Sequence, residues 1–203
     1  MQGYIENWFT TNVLYADASS LIEPVKQIFL ETDFSKFVDT RYPNGSTTYF
    51  SGSSDTFFNH PQSQAFVNTL TDATTHLASL QGVDMTVYLP IVTEIWMTQM
   101  GKGACHPKHV HSNSHFSGTF YLTSPDGSSP IRFYSPLELL WSFCPLPTAD
   151  DSNPITSRYV DHQPHPGKLL IWNSWLAHEV LPNNTESPRE SVSFNIKLER
   201  IIK

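Results

Sequence analysis

The chain has 203 residues, of which 39% are hydrophobic and 13% aromatic, a globular composition that can bury the core of one domain. A formal net charge of −7 argues against a general nucleic-acid binder, which needs a basic face. Two cysteines, Cys105 and Cys144, cannot frame a disulfide scaffold. No apolar run approaches the ~20 residues that span a bilayer. The opening MQGYIENWFTTNV lacks the basic and apolar regions of a signal peptide, so the expectation is a soluble, cytoplasmic protein without a membrane partner.

In chain order, residues 19–30 place Leu21, Val25, Ile28 and Phe29 at helical spacing. A serine could cap this helix, and Pro24 is tolerable in its first turn. Residues 38–58 read as loop and short strand. A longer helix is expected over about 61–82, with Phe66, Leu70, Ala73, Leu77 and Leu80 as its apolar stripe, Pro61 in its first turn and Gly82 as its stop. His76 on this helix reads as a surface residue.

After Gly82 the pattern becomes β-rich: 84–89, 92–100, 117–123, 131–134, 157–161, 168–173 and 191–198 read as strands between Pro, Gly, Ser and Asn clusters. The stretch 136–156, with Asp150-Asp151, reads as a long loop, either a lid or a plain insertion. In SVSFNIKL, Val192, Phe194, Ile196 and Leu198 share one strand face, while Ser191, Ser193, Asn195 and Lys197 share the other. Arg189 is in phase with the polar set. The apolar face would pack on the helices and the polar face would line a pocket, with Arg189 at its deep end. The expected fold is mainly β with flanking helices: a double-stranded β-helix, or jelly-roll barrel, of one domain over 1–203, with both helices on one sheet.

Chemistry concentrates at His109-Val110-His111, with His178 and Arg189 far downstream. Histidines at i and i+2 of a strand share a face, and a third from a neighbouring strand can complete one side of a metal coordination sphere. An arginine soon after that third histidine can hold a carboxylate through its planar fork. The competing readings are a surface H-x-H pair and a strand-edge surface arginine. His106 and His115, flanking the pair, could support the metal ligands, face the substrate or be loop residues, the last being favoured; His162 and His165 read as surface residues in the HQPHPG turn, and Trp172 and Trp175 as barrel packing, though either could wall the substrate pocket. Cys105, four residues before His109, could lie near the metal, but the favoured reading is a small buried residue at a strand end.

The strings HVHSNSHFSGTFYL and GKLLIWNSWLAHEVLPNNTESPRESVSFNI resemble the iron(II)- and 2-oxoglutarate-dependent dioxygenases, especially the prolyl-hydroxylase-like branch and a poorly characterised bacterial and phage group within it. The resemblance covers the C-terminal half well and the N-terminal half loosely. It implies Fe(II), 2-oxoglutarate and O2 as cofactor and co-substrates. It gives His109 and His178, within HEV-x-P, the first and last metal positions, and gives Arg189 the site for the C5 carboxylate of 2-oxoglutarate, with Ser191 two residues on and Tyr121 assisting. His111 departs from the pattern, since the superfamily has Asp or Glu there. A three-histidine site carries less negative charge, and Asn113 or a nearby carboxylate such as Glu94 could compensate. The implied reaction is hydroxylation of a substrate such as a peptide or amino acid. Two alternatives stay open. Gly103-x5-His109-x-His111 opens like a cupin metal motif, but the glutamate and the later P-x-G-x-x-H of that motif are missing. A non-catalytic binding domain on the same barrel would also explain the missing carboxylate.

Overall fold

A computed structural model describes residues 4, 10–52, 54–137 and 157–201. Its elements are β1 (Val13–Asp17), α1 (Ile22–Glu31), β2 (Gly45–Thr47), α2 (Asp55–Phe58), α3 (Ser63–Leu80), β3 (Tyr88–Met100), β4 (His106–His109), β5 (Phe116–Thr123), β6 (Ile131–Tyr134), β7 (Tyr159–His162), β8 (Lys168–Asn173), β9 (His178–Val180) and β10 (Arg189–Arg200). One antiparallel sheet runs β1-β8-β5-β10-β3-β2, and a smaller one runs β4-β9-β6-β7. Tyr121, Leu170 and Trp172 of the large sheet share a buried cluster with Ile131, Phe133 and Val180 of the small one. The two sheets therefore face each other, as a double-stranded β-helix requires.

The other face of the large sheet carries the helices. Phe66 of α3 meets Phe120 of β5 at 5.5 Å and Phe194 of β10 at 6.3 Å, both edge-on. Val25, Ile28, Leu70 and Leu77 join Val192, Phe194 and Ile196 in this apolar cluster. Gly118 of β5 is needed here: a Cβ on it would meet the Phe194 ring at 2.2 Å and the Leu170 carbonyl at 2.5 Å.

Both expected helices form, with differences at their ends. Residues 19–21 make a 3-10 turn before α1, and the Asp17 carboxylate, not a serine, accepts the Ser19 N–H. Leu80 is 72% exposed, because the buried stripe of α3 runs through Phe66, Leu70, Thr74 and Leu77 and rotates away before the last residue. The strands expected at 84–89 and 92–100 are one strand, β3, preceded by a turn in which Asp84 binds the N–H and hydroxyl of Thr86. Residues 138–156, most of the expected long loop, and Cys144 lie outside the described residues. Cys105 is exposed, not buried. His76 is exposed, as expected. No helix among the described residues is long and apolar enough to cross a membrane.

Candidate metal centre and co-substrate pocket

Between the sheets lies a cavity of about 460 Å³ whose walls include His109, His111, His178, Tyr121, Arg189 and Ser191. Strand register explains the assembly. On β10, Ser191, Ser193 and Asn195 pair with Tyr121, Thr119 and Ser117 of β5 on one side and with Thr98, Trp96 and Glu94 of β3 on the other. Rows of polar side chains therefore cross the floor of the cavity. Register shifts in β10 fall at Glu190/Ser191 and at Asn195/Ile196, the two ends of this floor. Bulges of this kind re-aim side chains beside sites.

The three histidines come from the small sheet and the turn after it. His109 ends β4 opposite His178 at the start of β9. His111 lies beyond the strand, so strand alternation does not align the pair; instead the His111 N–H donates to the Ser174 carbonyl at 3.0 Å, which turns the ring back. The ligand atoms of the trio all lie within 4.8 Å of one another. His111 Nε2 stands 3.3 Å from His178 Nε2. Two imidazole nitrogens bound at ~2.1 Å to one ion at a right angle would stand ~3.0 Å apart, so the observed spacing fits a shared ion.

The tautomers fit as well. His109 Nδ1 donates to the Pro107 carbonyl at 2.7 Å and His178 Nδ1 donates to the Leu176 carbonyl at 2.9 Å. A carbonyl only accepts, so each ring keeps its proton on Nδ1 and leaves the Nε2 lone pair free. Burial and the neighbouring His109 push His111 down to about 4 and His178 down to about 3. Both rings are therefore neutral at pH 7, the form a metal needs. Trp172 packs edge-on against His178 at 4.8 Å, as expected for barrel packing, while Trp175 is 55% exposed, against expectation, because its turn carries it out of the barrel.

Arg189, 3% exposed, donates from Nη1 to the Ser129 carbonyl at 3.0 Å. Its Nε–H has no partner, and no carboxylate among the described residues pairs with it. Its guanidinium carbon lies 5.2 Å from the centre of the Tyr121 ring. The Tyr121 hydroxyl, the Trp172 indole N–H and the Ser129 hydroxyl are also buried without partners. Burial raises the Tyr121 phenol, keeping it a donor. A buried guanidinium with only one neutral acceptor is costly unless an anion joins it. Donors converging on an uncompensated cation suit a carboxylate ligand.

Sequence reasoning missed several parts. His106 is not a loop residue: it stacks on Tyr42 at 4.7 Å beside the cavity, and burial pushes it down to about 3. His115 braces β10, its Nδ1 accepting from the Leu198 N–H at 3.1 Å. Asn183, fully buried, ties the segment before β10 to the Met100 carbonyl at 2.9 Å and so sets where Arg189 enters. Tyr49 and Trp96, 5.1 Å apart, line the cavity. Asn113 takes the left-handed conformation, φ 64°, a turn role that an asparagine tolerates.

An antiparallel barrel that brings a three-histidine cluster and a buried arginine to one cavity is the kind of arrangement a non-haem metal oxygenase needs. Residues 94–195 match the family described as "Putative 2OG-Fe(II) oxygenase", which is half of the chain, and the chain belongs to that family. It is an oxidoreductase that uses Fe(II), 2-oxoglutarate and O2. Among solved structures it is similar to a Pseudomonas putida prolyl-4-hydroxylase, at 15% identity and a TM-score of 0.58, over 92% of this chain and 93% of that one. A Trichoplax adhaerens prolyl hydroxylase in complex with a peptide fragment of hypoxia inducible factor gives 15% identity and a TM-score of 0.60, over 93% and 84%. HygX from Streptomyces hygroscopicus, with nickel and 2-oxoglutarate bound, gives 16% and 0.59, over 93% and 83%. At these identities the likeness is one of fold. No curated protein matches the chain by sequence.

Proposed function

We propose that residues 1–203 form one oxygenase domain in which His109, His111 and His178 hold the iron, and Arg189, with Tyr121 and Ser191, holds the distal carboxylate of 2-oxoglutarate. The observation that carries this is one cavity containing both a cluster of three imidazoles and a buried guanidinium that no anion among the described residues pairs with. Iron, when bound, supplies the oxygen activation that side chains lack, driven by oxidative decarboxylation of 2-oxoglutarate. The chain's residues bind and orient. The Arg189 fork takes two carboxylate oxygens, and the Tyr121 hydroxyl donates to one of them. Met100, Ile131 and Trp172, all buried, keep bulk water from that end. The substrate, an amino-acid side chain, free or in a peptide, would share the cavity that Tyr49 and Trp96 line. The outcome on the substrate is hydroxylation.

The test is succinate formation from 2-oxoglutarate by purified protein with Fe(II), ascorbate and O2. Wild type should form succinate in an iron-dependent way, and His109→Ala and His178→Ala should form none above background. Succinate formation by His178→Ala at the wild-type rate would remove the trio from the chemistry.

A further inference from the structure

Beyond the histidine trio and Arg189, the cavity offers a substrate one further charged side chain among the described residues that line it, Glu94. On β3, Glu94, Trp96 and Thr98 fall on the cavity side, across from Asn195, Ser193 and Ser191 of β10. Glu94 is exposed, and the buried Asn195 amide donates to its Oε2, which aims the carboxylate while leaving Oε1 open. No Lys, Arg or His among the described residues pairs with it. Two residues along the strand, the Trp96 ring lies 6.0 Å from His111 with the planes 23° apart, and 5.1 Å from the ring of Tyr49. Trp96 is 9% exposed and Tyr49 52%.

A second cavity, of about 380 Å³, adjoins the first: Tyr49, Glu94 and Trp96 line both. Its other walls include Phe58, Thr93 and one more acid, Asp55, and no Lys or Arg among the described residues lines it. Arg41 lies over Phe50 at 4.0 Å, but two hydrogen bonds of 2.8 and 2.6 Å already pair it with Asp39, so it brings no net positive charge. Two exposed acids alone would be ordinary surface. Their setting is what points to a ligand: an unpaired carboxylate beside two aromatic rings, where the metal cavity meets a second one. Trp and Tyr faces attract cations through their quadrupoles, and a cleft lined by charge of one sign concentrates ligands of the other. An accessible carboxylate also suits a strongly hydrated ammonium, because neither group must be fully stripped of water to pair.

We propose that the substrate carries an aliphatic cation, an ammonium or guanidinium such as ends a lysine or arginine side chain, and that Glu94, with Trp96 and Tyr49, holds it at the junction of the two cavities. The inference deepens the oxygenase reading and rests on it for the claim that this cavity is where the substrate sits. Charge divides the cavity by ligand: Arg189 takes the anionic co-substrate and Glu94 the cationic substrate, so neither ligand is drawn to the other's place. The methylene chain next to the cation lies along Trp96, whose ring stacks on His111 of the trio. Glu94, Trp96 and Tyr49 are residues that determine specificity, and they take no part in the oxygen chemistry.

The experiment is calorimetric titration, without O2, of the protein with and without Fe(II) and 2-oxoglutarate. The probes are the N-acetyl methylamides of lysine, arginine, norleucine, glutamate and proline, together with free L-lysine. Norleucine keeps the chain of lysine and lacks the charge. Wild type should bind the lysine or the arginine compound about 5–30 times more tightly than norleucine, the sum of an exposed ion pair and a cation–π contact. Glu94→Gln keeps the shape of the side chain and should cut that preference about 3–5-fold, leave norleucine binding unchanged and leave the melting temperature unchanged. Glu94→Lys should turn the preference towards the glutamate compound. The free and capped lysines tell an amino-acid substrate from a residue within a peptide. Norleucine, glutamate or proline binding as tightly as both cations, no binding of either cation at millimolar concentration, or an undiminished preference in Glu94→Gln would each overturn the proposal. The charge-transfer band of the loaded wild type tests the reading beneath it separately. If the band is absent while the Glu94-dependent preference is present, the iron site falls and the cation site stands. If the band forms without the preference, the iron site stands and the cation site falls.

Discussion

Along β10, successive side chains enter two different environments. Val192, Phe194 and Ile196 join the helices in an apolar cluster with none of their surface exposed, while Arg189, Ser191, Ser193 and Asn195 face the cavity. The first face is paired many times over by its neighbours. The second holds polar atoms still waiting for partners: Arg189 Nε and, on β5 and β8, the Tyr121 hydroxyl and Trp172 Nε1. One strand thus separates a surface that stabilises the protein from a surface that is stabilised by what binds it.

The sharpest way to break that comparison is to exchange the consequences. Phe194→Ala removes a fully buried ring between Phe66 and Gly118 and should destabilise the protein by about 3–5 kcal/mol, while the folded fraction keeps its affinity for 2-oxoglutarate. Chemical unfolding and a binding titration on the same sample check this; a large affinity loss at low denaturant would mean the two faces are not separable.

A second effect comes from the cavity histidines. His106 and His178 are pushed down to about 3 and His111 to about 4 by burial, from an ordinary value of 6.5. Above 6.5 neither the folded nor the unfolded state carries the charge, so stability is complete. As pH falls through 6.5 towards 3–4, the unfolded chain takes up protons that the folded one refuses, and stability is lost. Across pH 7 to 6, where carboxylates are silent, three such groups together cost about 2 kcal/mol in the apoprotein. Melting temperature against pH reads it, and a flat profile would contradict burial of His106, His111 and His178 in the neutral form.

A smaller effect has opposite signs in the two states. Tyr121→Phe removes a buried hydroxyl that has no partner, so the apoprotein should be as stable as wild type or slightly more so, while 2-oxoglutarate affinity falls by roughly 1 kcal/mol, about fivefold. Calorimetry on free and bound protein would show both changes; a destabilised apoprotein would mean that the hydroxyl already has a role without ligand.

The apolar face was the more legible of the two in the sequence. α1, α3, β5, β8 and β10 are long enough for their period to show, and the alternation of SVSFNIKL placed Asn195 and Arg189 on the cavity side correctly. Leu80 is the exception, and Leu80→Ala should change stability by less than about 0.5 kcal/mol, whereas Leu77→Ala should cost about 2–5 kcal/mol. The small sheet was harder to read. β9 has three residues and β4 four with a register break, too few for a period to emerge. His109, His111 and His178 were nonetheless singled out, through residue type and spacing, and the structure places their ligand atoms within 4.8 Å of one another. The partners that fix them were not, because Pro107, Leu176 and Ser174 act through backbone carbonyls, which any residue type supplies.

The central claim is that the histidine trio and Arg189 form one site with separate duties. The most direct measurement is an anaerobic titration of Fe(II)-loaded protein with 2-oxoglutarate, following the charge-transfer absorption of the iron-bound co-substrate, on wild type, His178→Ala, Arg189→Ala and Arg189→Lys. The account predicts that wild type develops the band and that His178→Ala never does. Arg189→Ala should keep its iron but need about 10–150 times more 2-oxoglutarate, the equivalent of losing charged hydrogen bonds of about 1.5–3 kcal/mol, and Arg189→Lys should recover only part of that. Equal 2-oxoglutarate affinity in wild type and Arg189→Ala, or a normal band in His178→Ala, would contradict it.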